Sequence, residues 1–152
     1  MTTFDYIIVG AGSAGCVLAD KLSANGRHSV LLIEAGPSDR RFWVQTPIGY
    51  GATYTDPKVN WRFYSEAEAG LGDRKMYVPR GKVLGGSSSI NALVYHRGQS
   101  SDYDDWKRAG NVGWDYNSLL PFFECFENVV GSYQQSQNIS GKLTISDVAD
   151  QY

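Results

Sequence analysis

With 152 residues, 42% of them hydrophobic and 13% aromatic, the chain has the size of one domain and the composition of a packed globular protein, not a disordered one. A formal net charge of −2 gives no reason to expect nucleic acid, and the acidic cluster Asp102, Asp104 and Asp105 reads as a solvated face. There is no apolar run long enough to span a membrane, and the first one leads straight into a glycine motif, so neither a transmembrane segment nor a signal peptide is expected.

The two cysteines, Cys16 and Cys125, fit no metal-ligand spacing. They read as reduced, buried thiols of a cytoplasmic protein, with membrane association left open, and no metal residues are assigned.

Taken in chain order, Tyr6 to Val9 is a short β-branched run stopped by Gly10 and predicts a buried strand. Over residues 13 to 24 the apolar positions Ala14, Val17, Leu18 and Leu22 move to helical spacing, and Asn25-Gly26 supplies a stop. Ser29 to Ile33 predicts a second buried strand. Residues 36–79 carry no strong period and predict a loop-rich excursion with short strands around Trp61 to Tyr64. Residues 87–96 predict a helix entered through a serine cap. Two further helices are expected over 102–108 and 117–129, the second capped by Ser118 with Pro121 in its first turn. Residues 131–140 are polar, and 142–146 alternate like a strand.

Gly10, Gly12 and Gly15 form a complete G-x-G-x-x-G between the first strand and the first helix. Gly10 permits the turn, Gly12 lets a pyrophosphate approach the backbone, and Gly15 lets helix and strand pack. The positive end of the helix dipole then faces the phosphates. Glu34 ends the second strand, where a carboxylate can accept hydrogen bonds from ribose hydroxyls. Together these features predict a dinucleotide site. They do not separate NAD from FAD. A nicotinamide domain would continue with a third parallel strand, and residues 36–70 are poor material for one.

The segment Gly81-Lys82-Val83-Leu84-Gly85-Gly86-Ser87-Ser88-Ser89-Ile90-Asn91, followed by Tyr95, Gly98 and Asp104, resembles the first signature of the glucose-methanol-choline (GMC) oxidoreductases. The similarity extends to the pairs at 60–61 and 113–114, to 79–81, and to 102–106 and 120–123. It implies an α/β fold: a Rossmann-type FAD-binding βαβ start with a loop-rich insertion, part of a larger GMC fold with a substrate domain. On that reading 1–35 is the first βαβ, 36–79 the excursion, 80–130 the flavin-contacting signature with its helices, and 131–152 the start of a connection.

The resemblance further implies FAD contacts at Gly10, Gly12, Ser13, Ala14, Gly15, Glu34 and Ala35 on the ADP half, with Trp61 and Gly81 nearby. Leu84, Gly86 and Ser87 would serve the polar chain and flavin side, and Asn91, Ala92, Leu93 and Val94 would lie along the isoalloxazine. Some family members attach FAD through a histidine just before the signature asparagine. Ile90 stands there, so non-covalent FAD is expected.

The family's base is a histidine in the C-terminal part of a longer chain. His28 and His96 match no such position, so no catalytic residue is assigned, and this stretch alone is expected to be inactive. The implied partners are an alcohol substrate, oxygen or a quinone as electron acceptor, and the remainder of the polypeptide. A non-catalytic nucleotide-binding subunit or a hydroxynitrile lyase of the same family is the alternative, and a flavin spectrum would exclude a nicotinamide enzyme.

Overall fold

The computed structural model describes residues 2–131 and 141–146, and the chain divides into two units, Met1–Val94 and Tyr95–Tyr152. The division falls inside the 80–130 segment.

In the first unit β1 (Tyr6–Val9), α1 (Ser13–Ser23) and β2 (Val30–Ile33) follow the sequence expectation. The strands pair in parallel, in register from Tyr6 with Val30 to Val9 with Ile33. A parallel pair needs a crossover, and α1 supplies it. A Cβ on Gly15 would collide with the Gly10 carbonyl, so only glycine lets α1 start this close to β1. The expectation of buried strands is corrected: Ile7 is 61% and Val9 82% exposed. The pair forms a two-stranded sheet, and among the described residues no third strand joins it.

The excursion folds as α2 (Phe42–Gln45), a 3-10 turn at Pro47–Gly49 and α3 (Tyr50–Thr53). It then forms the antiparallel pair β3 (Phe63–Tyr64) and β4 (Tyr77–Val78), which a bridge between Asn60 and Gly81 extends. Asn60 is buried and fully engaged. Its Nδ2 donates to the Tyr54 carbonyl at 2.7 Å and to the Tyr77 hydroxyl at 3.3 Å, while Oδ1 accepts from Arg62 N at 2.9 Å and Arg80 N at 3.1 Å. Val59, Val83 and Ile90 form the buried cluster, with Val44 against it.

The helix expected over 87–96 is reduced to one 3-10 turn, Gly86–Ser89. The polar side chains there bond to nearby backbone instead: Ser89 Oγ donates to the Leu84 carbonyl, and Asn91 Oδ1 accepts from Leu93 N. Such local bonds compete with helix propagation. Leu93 takes φ +59, which ends any helical path.

In the second unit α4 (Ser100–Arg108) begins with a capping box between Gln99 and Asp102. The N-cap of α5 (Tyr116–Phe126) is Asp115, not Ser118, whose amide donates to Asp115 Oδ1 at 3.2 Å. Lys107 and then Ser118 hold the Asp115 carboxyl below its ordinary 3.8. Pro121 lies inside the helix, not in its first turn. The helix also stops earlier than expected, because 127–129 is strand β5 (Glu127–Val129), parallel to β6 (Leu143–Ile145). Cys125 is exposed on α5 and Cys16 only partly buried, which corrects the expectation of two buried thiols.

The turn from helix to strand has a specific anchor. Glu127 is 3% exposed and accepts from Arg97 Nε at 2.7 Å, from Arg97 Nη2 and from the Tyr95 hydroxyl. Burial pushes the Tyr95 hydroxyl up to about 12, with help from the Glu127 carboxylate. Burial would raise Glu127 too, but the bonds from Arg97 and Tyr95 outweigh it and hold the carboxyl below its ordinary 4.5.

Candidate functional site

The two glycine motifs, about seventy residues apart in sequence, meet in the first unit. Gly85 N donates to the Ala11 carbonyl at 2.7 Å, inside the G-x-G-x-x-G loop. The Ser13 hydroxyl contacts that of Ser88. Gly86, at φ +60, lies against Gly12, and a Cβ placed on it would stand 2.8 Å from the Gly12 Cα. Gly86 therefore serves packing of loop on loop, while a Cβ on Gly85 would collide with the Ser89 hydroxyl of its own turn. On the other side Ser87 Oγ accepts from Gly81 N at 3.0 Å.

This junction forms one end of a cleft of about 500 Å³. It is lined by Val9, Gly10 and Gly12 from the end of β1 and its loop, with Ile33, Glu34 and Ala35 from the end of β2. Trp61, Phe63, Arg80 and Gly81 come from the β3–β4 pairing, and Gly86 and Ser87 from the signature turn. Trp61 is 45% exposed; its ring stacks on Phe63 at 5.9 Å and 6°, and Lys82 Nζ stands 4.6 Å from its centroid.

Glu34 holds the rim. Its Oε2 accepts from Ala11 N at 2.8 Å and its Oε1 from Gly36 N at 2.9 Å, so the carboxylate ties the glycine loop to the end of β2. Each oxygen retains a lone pair for a hydroxyl donor.

Gly10, Gly12, Glu34, Ala35, Trp61, Gly81, Gly86 and Ser87 thus line one cleft. Ser13, Ala14 and Gly15 form the first turn of α1, where no side chain caps the amides. Such amides bind anions. Leu84 is tied to the neighbouring loop, its amide donating to the Pro37 carbonyl at 3.0 Å. Asn91, Ala92, Leu93 and Val94 are exposed and lie outside the cleft lining. Phe63 and Arg80 also line the cleft; sequence reasoning names neither as a site residue, although Arg80 stands in the matching stretch 79–81. His28 is exposed and is not among the lining residues; His96, in the second unit, is exposed. No group of His, Cys, Asp and Glu among the described residues could hold a metal, and no described helix is long and apolar enough to cross a membrane.

A strand, a glycine turn, an uncapped helix start and a second strand ending in a cleft-lining carboxylate define a dinucleotide-binding domain. Comparison with known proteins makes this specific. The model of the family GMC oxidoreductase matches residues 4–152. An oxygen-dependent choline dehydrogenase of Vibrio vulnificus (strain YJ016) is 50% identical over 93% of this chain and 25% of its own length. An alcohol dehydrogenase (acceptor) of Pseudomonas putida is 43% identical over 97% of this chain and 27% of its own. A solved structure of an FAD-dependent oxidoreductase from Chaetomium thermophilum superimposes with a TM-score of 0.77 at 34% identity, covering 95% of this chain and 26% of that one. The chain belongs to the GMC oxidoreductase family and forms its N-terminal FAD-binding domain. It spans about a quarter of the length of the curated relatives it matches.

Proposed function

We propose that this chain holds FAD for an enzyme that oxidises an alcohol CH–OH to an aldehyde or ketone. The observation that carries the reading is one cleft lined by residues of both glycine motifs and by the Glu34 carboxylate, with an uncapped helix start directly after Gly12. The donor set suits a dinucleotide. Ser13, Ala14 and Gly15 amides would hold the pyrophosphate, and Glu34 would accept from a ribose hydroxyl beside Ala35. Trp61 and Phe63 give an apolar wall, and Gly81, Leu84, Gly86 and Ser87 would carry the site towards the flavin end, with Asn91 to Val94 beyond. A cleft of about 500 Å³ lies in the range of small-molecule sites.

When bound, FAD supplies an acceptor for the hydride that leaves the alcohol carbon. The residues described here would bind and orient it; the acceptor of the alcohol proton is assigned to no residue of this chain, since neither His28 nor His96 matches the position of the family's base. The relatives' names favour choline or another alcohol as substrate and oxygen or another acceptor for the electrons; a quinone is the acceptor to test beside oxygen. Attachment is non-covalent, because Ile90 is aliphatic and packs with Val59 and Val83.

The test is an absorption spectrum of the whole purified protein, then anaerobic addition of choline and primary alcohols. Flavin bands that bleach with an alcohol support the reading. Bands that no alcohol bleaches make the protein a non-catalytic flavin binder, and a protein without bands refutes the cofactor itself. Reoxidation by air or only by a quinone analogue then identifies the acceptor.

A further inference from the structure

We infer that Lys82 is a positioning residue of the cleft: its ammonium group holds the Trp61 indole as the cleft wall without touching the cofactor. The inference rests on the cleft being the FAD site.

Trp61 lines the cleft, yet at 45% exposure its side chain is not locked by the buried cluster. Two contacts fix it. One is the stack on Phe63, itself 51% exposed and therefore a weak support. The other is Lys82, whose Nζ stands 4.6 Å from the ring centroid, within the reach of a cation–π attraction.

The backbone makes that contact reproducible. Trp61 N donates to the Arg80 carbonyl at 2.9 Å and Lys82 N to the Val59 carbonyl at 2.7 Å, so Lys82 is the diagonal neighbour of Trp61 across an antiparallel pairing. Val83 and Val59, both fully buried, hold the two strands on either side. Lys82 is partly buried, which reduces the competition from water, and among the described residues it forms no ion pair. It is not part of the cleft lining, whereas its neighbour Gly81 is. The cation therefore contacts a ring that lines the cleft without itself lining it.

The experiment measures FAD affinity of the whole apoprotein by flavin fluorescence quenching. It compares wild type, Lys82→Met, Lys82→Gln and Lys82→Arg, each also in a Trp61→Leu background, with apoprotein melting as a check on folding. Loss of the cation is expected to weaken FAD by about 3- to 5-fold, the size of a partly exposed cation–π contact. Lys82→Arg should restore affinity to within about 2-fold, since guanidinium also sits well on indole. In the Trp61→Leu background the cost of removing the cation should vanish. Undiminished affinity in both neutral variants overturns the inference. So does an equal cost in the Trp61→Leu background, which would mean direct attraction to the phosphates. Lys82→Gln keeps the test open if Lys82→Met does not fold. A wild-type protein that takes up no FAD sinks the cofactor reading and this inference together, whereas wild-type uptake with indifferent Lys82 variants sinks this inference alone.

Discussion

Gly86 lies so close to Gly12 that a methyl group on it would stand 2.8 Å from the Gly12 Cα, backbone against backbone. No flexible side chain can yield there, so one of the two loops must shift. Gly26 has a similar φ, +67, with nothing within 4 Å of a methyl placed on it, and isolates the conformational part of the cost. Both Gly86→Ala and Gly26→Ala should lose about 1–2 kcal/mol to the left-handed backbone. Only Gly86→Ala should also lose FAD affinity, by an order of magnitude or more. Equal flavin binding in the two variants would show that the loops separate without harm to the site.

Glu34 uses both carboxylate oxygens on backbone amides, Ala11 N and Gly36 N. Glu34→Gln offers one oxygen and an amide group, so one of the two donors would face another donor. Replacement by either Gln or Ala is therefore expected to weaken FAD by about 10- to 150-fold, the range for a lost charged acceptor. Titration of apoprotein with FAD measures it. A glutamine variant with wild-type affinity would mean that these two bonds do not shape the cleft.

Ile90 is 7% exposed and shares the buried cluster with Val59 and Val83. Acid precipitation of the holoprotein should leave essentially all flavin in the supernatant. Flavin that remains with the pellet would require another attachment residue.

Glu127 gives a pH signature. Its carboxyl is held below the ordinary 4.5, so the stability it contributes is present above that value and is lost as pH falls through the lower, folded value. Glu127→Ala strands the Arg97 guanidinium and should cost about 2–4 kcal/mol at about pH 7, toward the lower part of the buried-pair range because Arg97 is partly exposed. Melting of both proteins from about pH 7 to about pH 3 should show the gap between them narrowing below about pH 4.5. A gap independent of pH would assign the effect to packing alone.

The β1–α1–β2 unit was legible almost to the residue, because a change of period bounded by glycines is local information. The signature stretch was not legible as structure. Its apolar spacing reads as a helix, and the bonds of Ser89 to Leu84 and of Asn91 to Leu93, with Leu93 at φ +59, make it a single turn. At the end of α5 the deciding partner of Glu127 is Arg97, 30 residues earlier, which no window centred on the helix includes. In the site, the residues of the first loop and Glu34 were readable from the motif. Phe63 and Arg80 were not, since they reach the cleft through a pairing that brings 61 beside 80.

The bond from Gly85 N to the Ala11 carbonyl also bears on how the protein is made. The amide that holds the Ala11 carbonyl leaves the ribosome 74 residues after the G-x-G-x-x-G loop, and so does Gly86, which rests on Gly12. Closing so long a loop is slow compared with forming one helix. A chain that ends before the signature turn is therefore expected to carry the first βαβ without a finished cradle, and to bind FAD only once residues 81–91 are present.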